Sequence, residues 1–380
     1  DLMNLWFGKT ADYFKQFISD QTIGMARINR FDFTTLPINL LYLLYYEYRR
    51  NEKESLNFSF FEYGKNSNGN PDDDRWEMYL ELQEMYAILQ RWYNDKELYH
   101  YLGFLFFNFK AQTPFRDIYT QWKALNSRDK FLKNIQHTIA TRMLDRYLEE
   151  TEKAAPDYQK CLKTMTEAIS DFRENWYNND KELYQILILL DIFRILDSKS
   201  IKKLPTDYFT RKSGQKDGED KEHILSQTPR KDNGEITTIK TDWEKFVQSE
   251  DFKDIRSQMQ EILNHSDAEL TEQELTQLQN LLNSAGLNSI GNMVLLDLRI
   301  NRSYGNADYA HKRTIIFQEY MNQKYVRPHT LAVFMKGDID AREATGIPLN
   351  RWTLEDIKRN TDKIAKEIGK NFNAWLTQNN

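Results

Sequence analysis

The sequence predicts a mainly helical protein of the α+β class. Three observations carry this expectation. Residues 1–200 repeat apolar side chains at three- and four-residue spacing, the period of a helix with one buried face. The texture changes after Ser198, where Ile201–Asn233 is rich in Lys, Gly and Asp and holds Pro205 and Pro229, as a domain junction does. Beyond it, short β-branched or apolar runs alternate with renewed helical pattern. The expected division is a helical domain over 1–198 and a mixed domain over 199–380.

In the first half, Asp74–Tyr93, Asp95–Phe109, Ser127–Glu150, Tyr158–Trp176 and Asp180–Leu196 each read as helix. The Gly-, Asn- and Pro-rich stretch Gly64–Asp74 reads as a loop. Its aspartates open the next helix, where acids suit the positive end of the dipole, rather than forming a cation site. WYNDKELYHYLGFL (Trp92–Leu105) returns as WYNNDKELYQILIL (Trp176–Leu189). Asn94 with Glu97, and Asn179 with Glu182, read as caps of two core helices, because two copies do not make a solenoid.

In the second half, DKEHILSQTP (Asp220–Pro229) brings Glu222 and His223 to the start of a short apolar strand led by Ile224 and Leu225. GEITTIK (Gly234–Lys240) has strand-forming residues. Helical pattern resumes at Trp243–Asn264 and at Thr271–Asn283, the latter opened by Thr271 and Glu274 as a capping box. Ile290–Asn301 reads as a turn, an apolar strand and a polar exit; Tyr309–Tyr325 and Thr353–Leu376 read as helices, the last capped by Thr353 and Asp356.

Composition narrows the class. A chain of 380 residues has room for two or three domains, and its 21 Tyr, 22 Phe and 8 Trp can bury a sizeable core. A net charge of −5 argues against a chain built wholly to coat nucleic acid, though not against a local basic cleft. Cys161 is the single cysteine, which excludes an internal disulfide and a Cys-based zinc site and fits a reducing cytoplasm. No secretory signal is visible, and the apolar runs Leu40–Tyr46 and Ile186–Ile195 are too short and broken to span a bilayer. The first residue is Asp1 rather than Met, so a fragment or processed product is expected.

The second half also holds a set of residues suited to phosphodiester hydrolysis. A base must deprotonate water, and a cation must neutralise charge on the phosphorane-like transition state. A neutral imidazole such as His223 suits the first task, and a carboxylate with an amide oxygen suits Mg²⁺. Glu222, Asn292 and Asn301 are the nearby oxygen donors, with His311, Lys312 and Arg313 following. For a lone Glu-His pair the plain alternative is a solvated loop entering a strand. His100 and His137 read as helix packing or surface residues, His265 as a helix-end residue, His329 as a turn residue, and His311 as a phosphate contact or an exposed side chain.

EHILSQ, followed by LNSIGNMVLLDLRINRSYGNADYAHKR, resembles the HNH-type nuclease domain at the C-terminus of GmrSD-like modification-dependent restriction enzymes, the DUF1524 family, usually joined to an N-terminal DUF262 domain. That family's pattern is Glu/Asp-His-Ile-x-Pro-Gln, then Ile-Gly-Asn-Leu-x-Leu-Leu with an Asn a few residues on. WTLEDIKRNTDKIAKEI (Trp352–Ile368) resembles its closing helix, with Arg359 at the basic position, and WYNDKELYHYLGFL resembles the helical part behind the DUF262 core. The resemblance implies a ββα-metal fold and a metal-dependent endonuclease acting on foreign or modified DNA, with Mg²⁺ or Mn²⁺ as cofactor. His223 is then the general base, Glu222 and Asn301 the metal ligands, and Asn292 the residue that holds the His223 loop. Arg299, Arg302, Lys312 and Arg313 are the expected nucleic-acid contacts. Two departures stand out: Ser226 replaces the usual Pro, and a long helical insertion separates His223 from Asn292. The Asp-Gly-Gln-Gln-Arg motif of the nucleotide-binding DUF262 domain does not occur in the chain, so that domain is expected upstream or dispensed with. The rival expectations are a non-catalytic interaction module of a defence system and a toxin-like RNase.

Overall fold

The computed structural model describes residues 9–28, 38–49, 71–199, 203–211, 218–225, 228–229, 235–249, 252–300, 308–336 and 351–378. The chain forms two compact units that interleave along the sequence: Asp1–Met143 with Ile195–Thr210 and Thr377–Asn380, and Leu144–Arg194 with Arg211–Leu376. Composition alone divides the chain at residue 198, whereas Leu144–Arg194 groups with the C-terminal residues.

The first unit carries α1 (Lys9–Lys15), α2 (Asp20–Ile28), α3 (Ile38–Arg49), α4 (Pro71–Asn94), α5 (Lys96–Phe109), α6 (Phe115–Leu125) and α7 (Arg128–Leu144). Helix α5 buries ten of its residues, among them Leu98, Leu102, Phe104 and Phe106. A helix apolar on nearly every face belongs at the centre of a core. Its neighbours meet it through aromatic rings: Tyr13 stacks on Tyr99 with centroids 4.6 Å apart, and Phe17 on Phe106 at 3.8 Å. Gly103 permits a close approach, since a Cβ there would stand 2.5 Å from the Phe209 ring. The cap of α5 is Asp95 rather than the expected Asn94, which closes α4. Asp95 accepts from the backbone N–H groups of Glu97 and Leu98, and Arg128 grips both Asp95 and Glu97. His100 packs as expected: it is buried, its Nε2 accepts from Leu204 N at 2.9 Å, and burial pushes the ring down to about 4.

The second unit carries α8 (Tyr158–Ser170), most of α9 (Asp180–Asp197), β1 (Glu219–His223), α10 (Lys240–Val247), α11 (Arg256–Asn264), α12 (Glu272–Ser284), β2 (Met293–Asp297), α13 (Tyr309–Met321), α14 (Pro328–Met335) and α15 (Leu354–Thr377). β1 and β2 pair antiparallel, with Glu219 opposite Asp297 and His223 opposite Met293. Val294 and Leu296 of β2 lie in one apolar core with Trp243, Met259, Leu278, Ile316, Phe334 and Ile357.

Four expectations change here. Glu222 and His223 close β1 instead of opening a strand, and Ile224 and Leu225 follow it. Trp243–Asn264 is two helices, because the guanidinium of Arg256 takes the carbonyls of Val247, Gln248 and Ser249 and so satisfies the end of α10. Gly234–Lys240 yields only an isolated bridge, Ile239 to Glu269, among the described residues. There Thr237 turns its hydroxyl to Asp242 and its carbonyl to the Trp243 indole, which draws the segment into the start of α10. His329 sits on α14 behind Pro328 at the first helical position, and it is buried. The caps at Thr271 and Thr353 form as expected.

Candidate functional site

β1 is a charged strand, and each end is fastened from outside. At its start the buried carboxylate of Glu219 accepts two hydrogen bonds from Arg327, at 2.8 Å each. Arg327 also pairs with buried Asp191 of α9 at 2.7 Å. Burial opposes the charge on this guanidinium, but Glu219 and Asp191 beside it hold it well above its ordinary value. Asp191 accepts in addition from His329 N at 2.8 Å.

At its end the strand stops at His223, and Asn292 takes over from the ladder. Asn292 is fully buried. Its backbone carbonyl accepts from Ile224 N at 2.9 Å, and its side-chain oxygen accepts from Leu225 N at 2.8 Å. Its amide nitrogen donates to the carbonyls of Leu225 and Leu287, at 3.1 and 2.9 Å. Gly291 lets α15 close on this turn: a Cβ there would lie 2.3 Å from the Ile357 carbonyl oxygen. Asn360 of α15 donates to the Gly291 carbonyl at 2.8 Å.

Glu222 and His223 are neighbours in a strand and meet different partners, as the pleat dictates. The Glu222 carboxylate accepts from the Lys312 ammonium of α13 at 2.7 Å. Lys312 also donates to the His223 carbonyl at 2.6 Å and is 1% exposed. The His223 ring stacks on Tyr177 at 4.7 Å, inclined by 20°, and its Nε2 lies 2.9 Å from Asn288 Oδ1. The Lys221 ammonium sits 4.0 Å from the centroid of the same Tyr177 ring and bonds to Tyr177 O and Asp180.

The expected phosphate contacts separate into two kinds. Arg299 follows β2 on the surface, its backbone N–H and side chain on Asp297. Lys312 and Arg313 are built into the fold. Arg313 donates to the Phe334 carbonyl at 2.9 Å and lies 4.6 Å from the centroid of Phe317. His311 is exposed at the first turn of α13, capped by Asp308. Asn301, Arg302 and Ser226 lie outside the described residues. Sequence reasoning missed Tyr177, Asn288, Arg327, Asp191 and Glu219. Tyr177 lay within the repeated Trp-Tyr-Asn stretch and Asn288 four residues before Asn292, but neither position signals contact with His223.

Glu222 has one carboxylate oxygen on Lys312, and the other has no hydrogen-bond partner among the described residues. An oxygen of this kind fits a hard divalent cation. Among the described residues no three His, Cys, Asp or Glu side chains stand together. A cation here would therefore rest on Glu222 with amide, water or phosphate oxygens.

Residues 166–367 match the model of a known family, the C-terminal domain of GmrSD restriction endonucleases. The chain belongs to the GmrSD restriction endonuclease family. The matched segment begins within α8 and contains Tyr177, β1, β2, Lys312 and most of α15. Membership makes this GmrSD chain a nuclease of the restriction-endonuclease type, a hydrolase whose substrate class is DNA. No curated protein matches it, and no solved structure does. Among the described residues no helix is long and apolar enough to cross a membrane.

Proposed function

We propose that this GmrSD-family chain is a metal-dependent HNH-type endonuclease that acts in the cytoplasm against foreign or modified DNA. One observation carries the reading: within the family-matched segment, Glu222 and His223 close β1, and Asn292 fastens the backbone that follows. The antiparallel pairing of β1 with β2, and Lys312 of α13 reaching back to β1, support this reading. His223 takes the proton of the attacking water as the new O–P bond forms, and the leaving oxygen is protonated by solvent. Glu222 and Asn301 would hold Mg²⁺ or Mn²⁺, which supplies charge neutralisation at the phosphate when bound. Lys312 steadies Glu222 and the His223 carbonyl from below. Arg299 and Arg302 are the proposed contacts to the backbone phosphates.

The test is cleavage of plain plasmid, modified phage DNA and RNA, with Mg²⁺, Mn²⁺ or EDTA, by the parent and by His223→Ala. The expected result is metal-dependent DNA cleavage that falls about 10²–10⁴-fold in the variant, the scale of a lost general base. Preferential cleavage of RNA would favour the RNase. Equal cleavage by parent and variant would remove His223 from the chemistry.

A further inference from the structure

Helix α13 turns one face to the core and leaves a row of the other in solvent. Lys312 points inward, to Glu222 and the His223 carbonyl. His311, Thr314, Gln318 and Met321 are exposed, and steps of three, four and three residues set them in one row along the helix. The row starts beside Lys312 and runs about 15 Å, at roughly 1.5 Å per residue. That length spans roughly four base-pair steps of duplex DNA.

The far end of the row stands clear of the core: Met321 is 76% exposed and Tyr320 50%. A groove lined by Thr314, Phe317, Gln318, Glu319, Met321 and Asn322 lies along it. The helix closes there in a Schellman turn, in which Gln323 N donates to the Tyr320 carbonyl at 3.0 Å and Lys324 N to the Glu319 carbonyl at 3.1 Å. Gln323 takes the left-handed position of that turn, with φ 61°, where glycine is the usual residue. Asn322 and Gln323 are exposed. Glu319, the one acid of α13, pairs with Lys324. The row and the turn therefore offer amides, a hydroxyl and an apolar side chain, with no unpaired carboxylate of α13 to repel phosphate. Such groups suit base edges, which amides bond and apolar side chains meet inside a groove.

We propose that Thr314, Gln318 and Met321 of α13, with Asn322 and Gln323 of the turn, lie in a groove of the bound DNA duplex and contact base edges there. The proposal rests on the reading of Glu222 and His223 as the place of cleavage, because α13 starts at that pair. These contacts are non-ionic, so the affinity they supply is not lost to salt as that of phosphate contacts is.

The test is binding of the full chain to a short blunt DNA duplex, measured without metal by fluorescence anisotropy over a series of salt concentrations. Met321→Ser should weaken binding about tenfold, the scale of one buried apolar side chain. Gln318→Ala with Asn322→Ala should weaken it by about as much, as amide contacts to bases do. The slope of log affinity against log salt should stay that of the parent, since no charge is removed. Gln323→Gly should also bind more weakly while its Tm equals or exceeds the parent's, because glycine takes the left-handed position freely. Parent-like binding by these variants, or a flattened slope, overturns the proposal. Sedimentation velocity tests the rival occupant, a second copy of the chain: a parent dimer that Met321→Ser dissociates, with DNA affinity unmoved, makes the row a protein interface and also overturns it. If the parent neither binds nor cleaves duplex DNA, the nuclease reading falls and the proposal with it. If the parent binds and cleaves while the variants bind as it does, the groove contact alone falls.

Discussion

Replacing Lys312 by Met keeps most of the buried stem and removes the charge. Two charge-assisted hydrogen bonds disappear, one to Glu222 at 2.7 Å and one to the His223 carbonyl at 2.6 Å. Breaking a fully buried ion pair costs about 3–5 kcal/mol, because the remaining charge has no compensation. The Glu222 side chain is 16% exposed and keeps some water, so the expected loss is lower, about 2–3 kcal/mol, within the range for hydrogen bonds to charged groups. A lysine that only met phosphate on the surface would change stability by less than about 0.5 kcal/mol. Urea unfolding, followed by tryptophan fluorescence, separates the two cases. The cycle with Glu222→Gln sharpens it. Glutamine needs no cationic partner, so the double variant should be more stable than the sum of the single losses by at least about 1 kcal/mol. Unchanged stability in Lys312→Met, together with a salt slope of DNA binding flattened by about one unit, would refute the structural role and return Lys312 to the phosphate.

Further tests address other parts of the molecule. Burial pushes His329 down to about 3, and neither ring nitrogen has a hydrogen-bond partner among the described residues. Below about pH 6.5 the unfolded chain gains a proton that the fold refuses, so stability falls with pH at about 1.4 kcal/mol per unit. Between pH 6.5 and 5 the parent should lose about 2 kcal/mol more than His329→Leu; equal losses by urea titration would refute this. Asn292→Ala removes the three side-chain hydrogen bonds to Leu225 and Leu287 and should cost about 2–4 kcal/mol, visible as a lower Tm together with weaker cleavage. Gly291→Ala, which meets the backbone of α15, should be at least as damaging. Arg299→Ala with Arg302→Ala should flatten the salt slope of DNA binding by about two units, and an unchanged slope would remove both from the interface. Residues 199–380 expressed alone lack Tyr177 and Asp191, partners of His223 and Arg327. That fragment should show no cooperative unfolding transition, whereas a division at residue 198 expects one.

What the sequence disclosed was local. Thr271 and Glu274 stand three residues apart, and their capping box follows from that spacing. Gly291 and Asn292 sit in a short turn whose close packing and amide bonds match their residue types. Long-range pairing stayed hidden. Glu219 opens a strand of five residues, four of them charged at neutral pH, which no apolar pattern announces; it is stable inside because Arg327 arrives from the distant start of α14. Lys312 and Arg313 read as a basic patch, since a sequence does not separate a lysine under a carboxylate from one in solvent. The break between α10 and α11 depends on where the Arg256 side chain turns.

The long insertion expected between His223 and Asn292 has a physical resolution in the Asn292 side chain. Helices α10, α11 and α12 leave the site after Leu225 and return to it at Leu287. The amide nitrogen of Asn292 bonds the carbonyls of both residues. One side chain therefore clamps the exit and the return of the insertion, whose Trp243, Met259 and Leu278 join the apolar core that Val294 and Leu296 of β2 share. Closure entropy grows only with the logarithm of loop length. Once the ends are clamped, the number of residues between them has little leverage on β1. The geometry around His223 then depends on Asn292, Asn288 and Tyr177 outside that stretch, and within it on the end of α12, where Asn283 accepts from Asn288. Shortening the insertion within α11, which leaves Asn283 and both clamped ends in place, should accordingly lower stability while cleavage by the folded protein stays near the parent's, and cleavage that fell with insertion length would show that the clamp does not insulate the site.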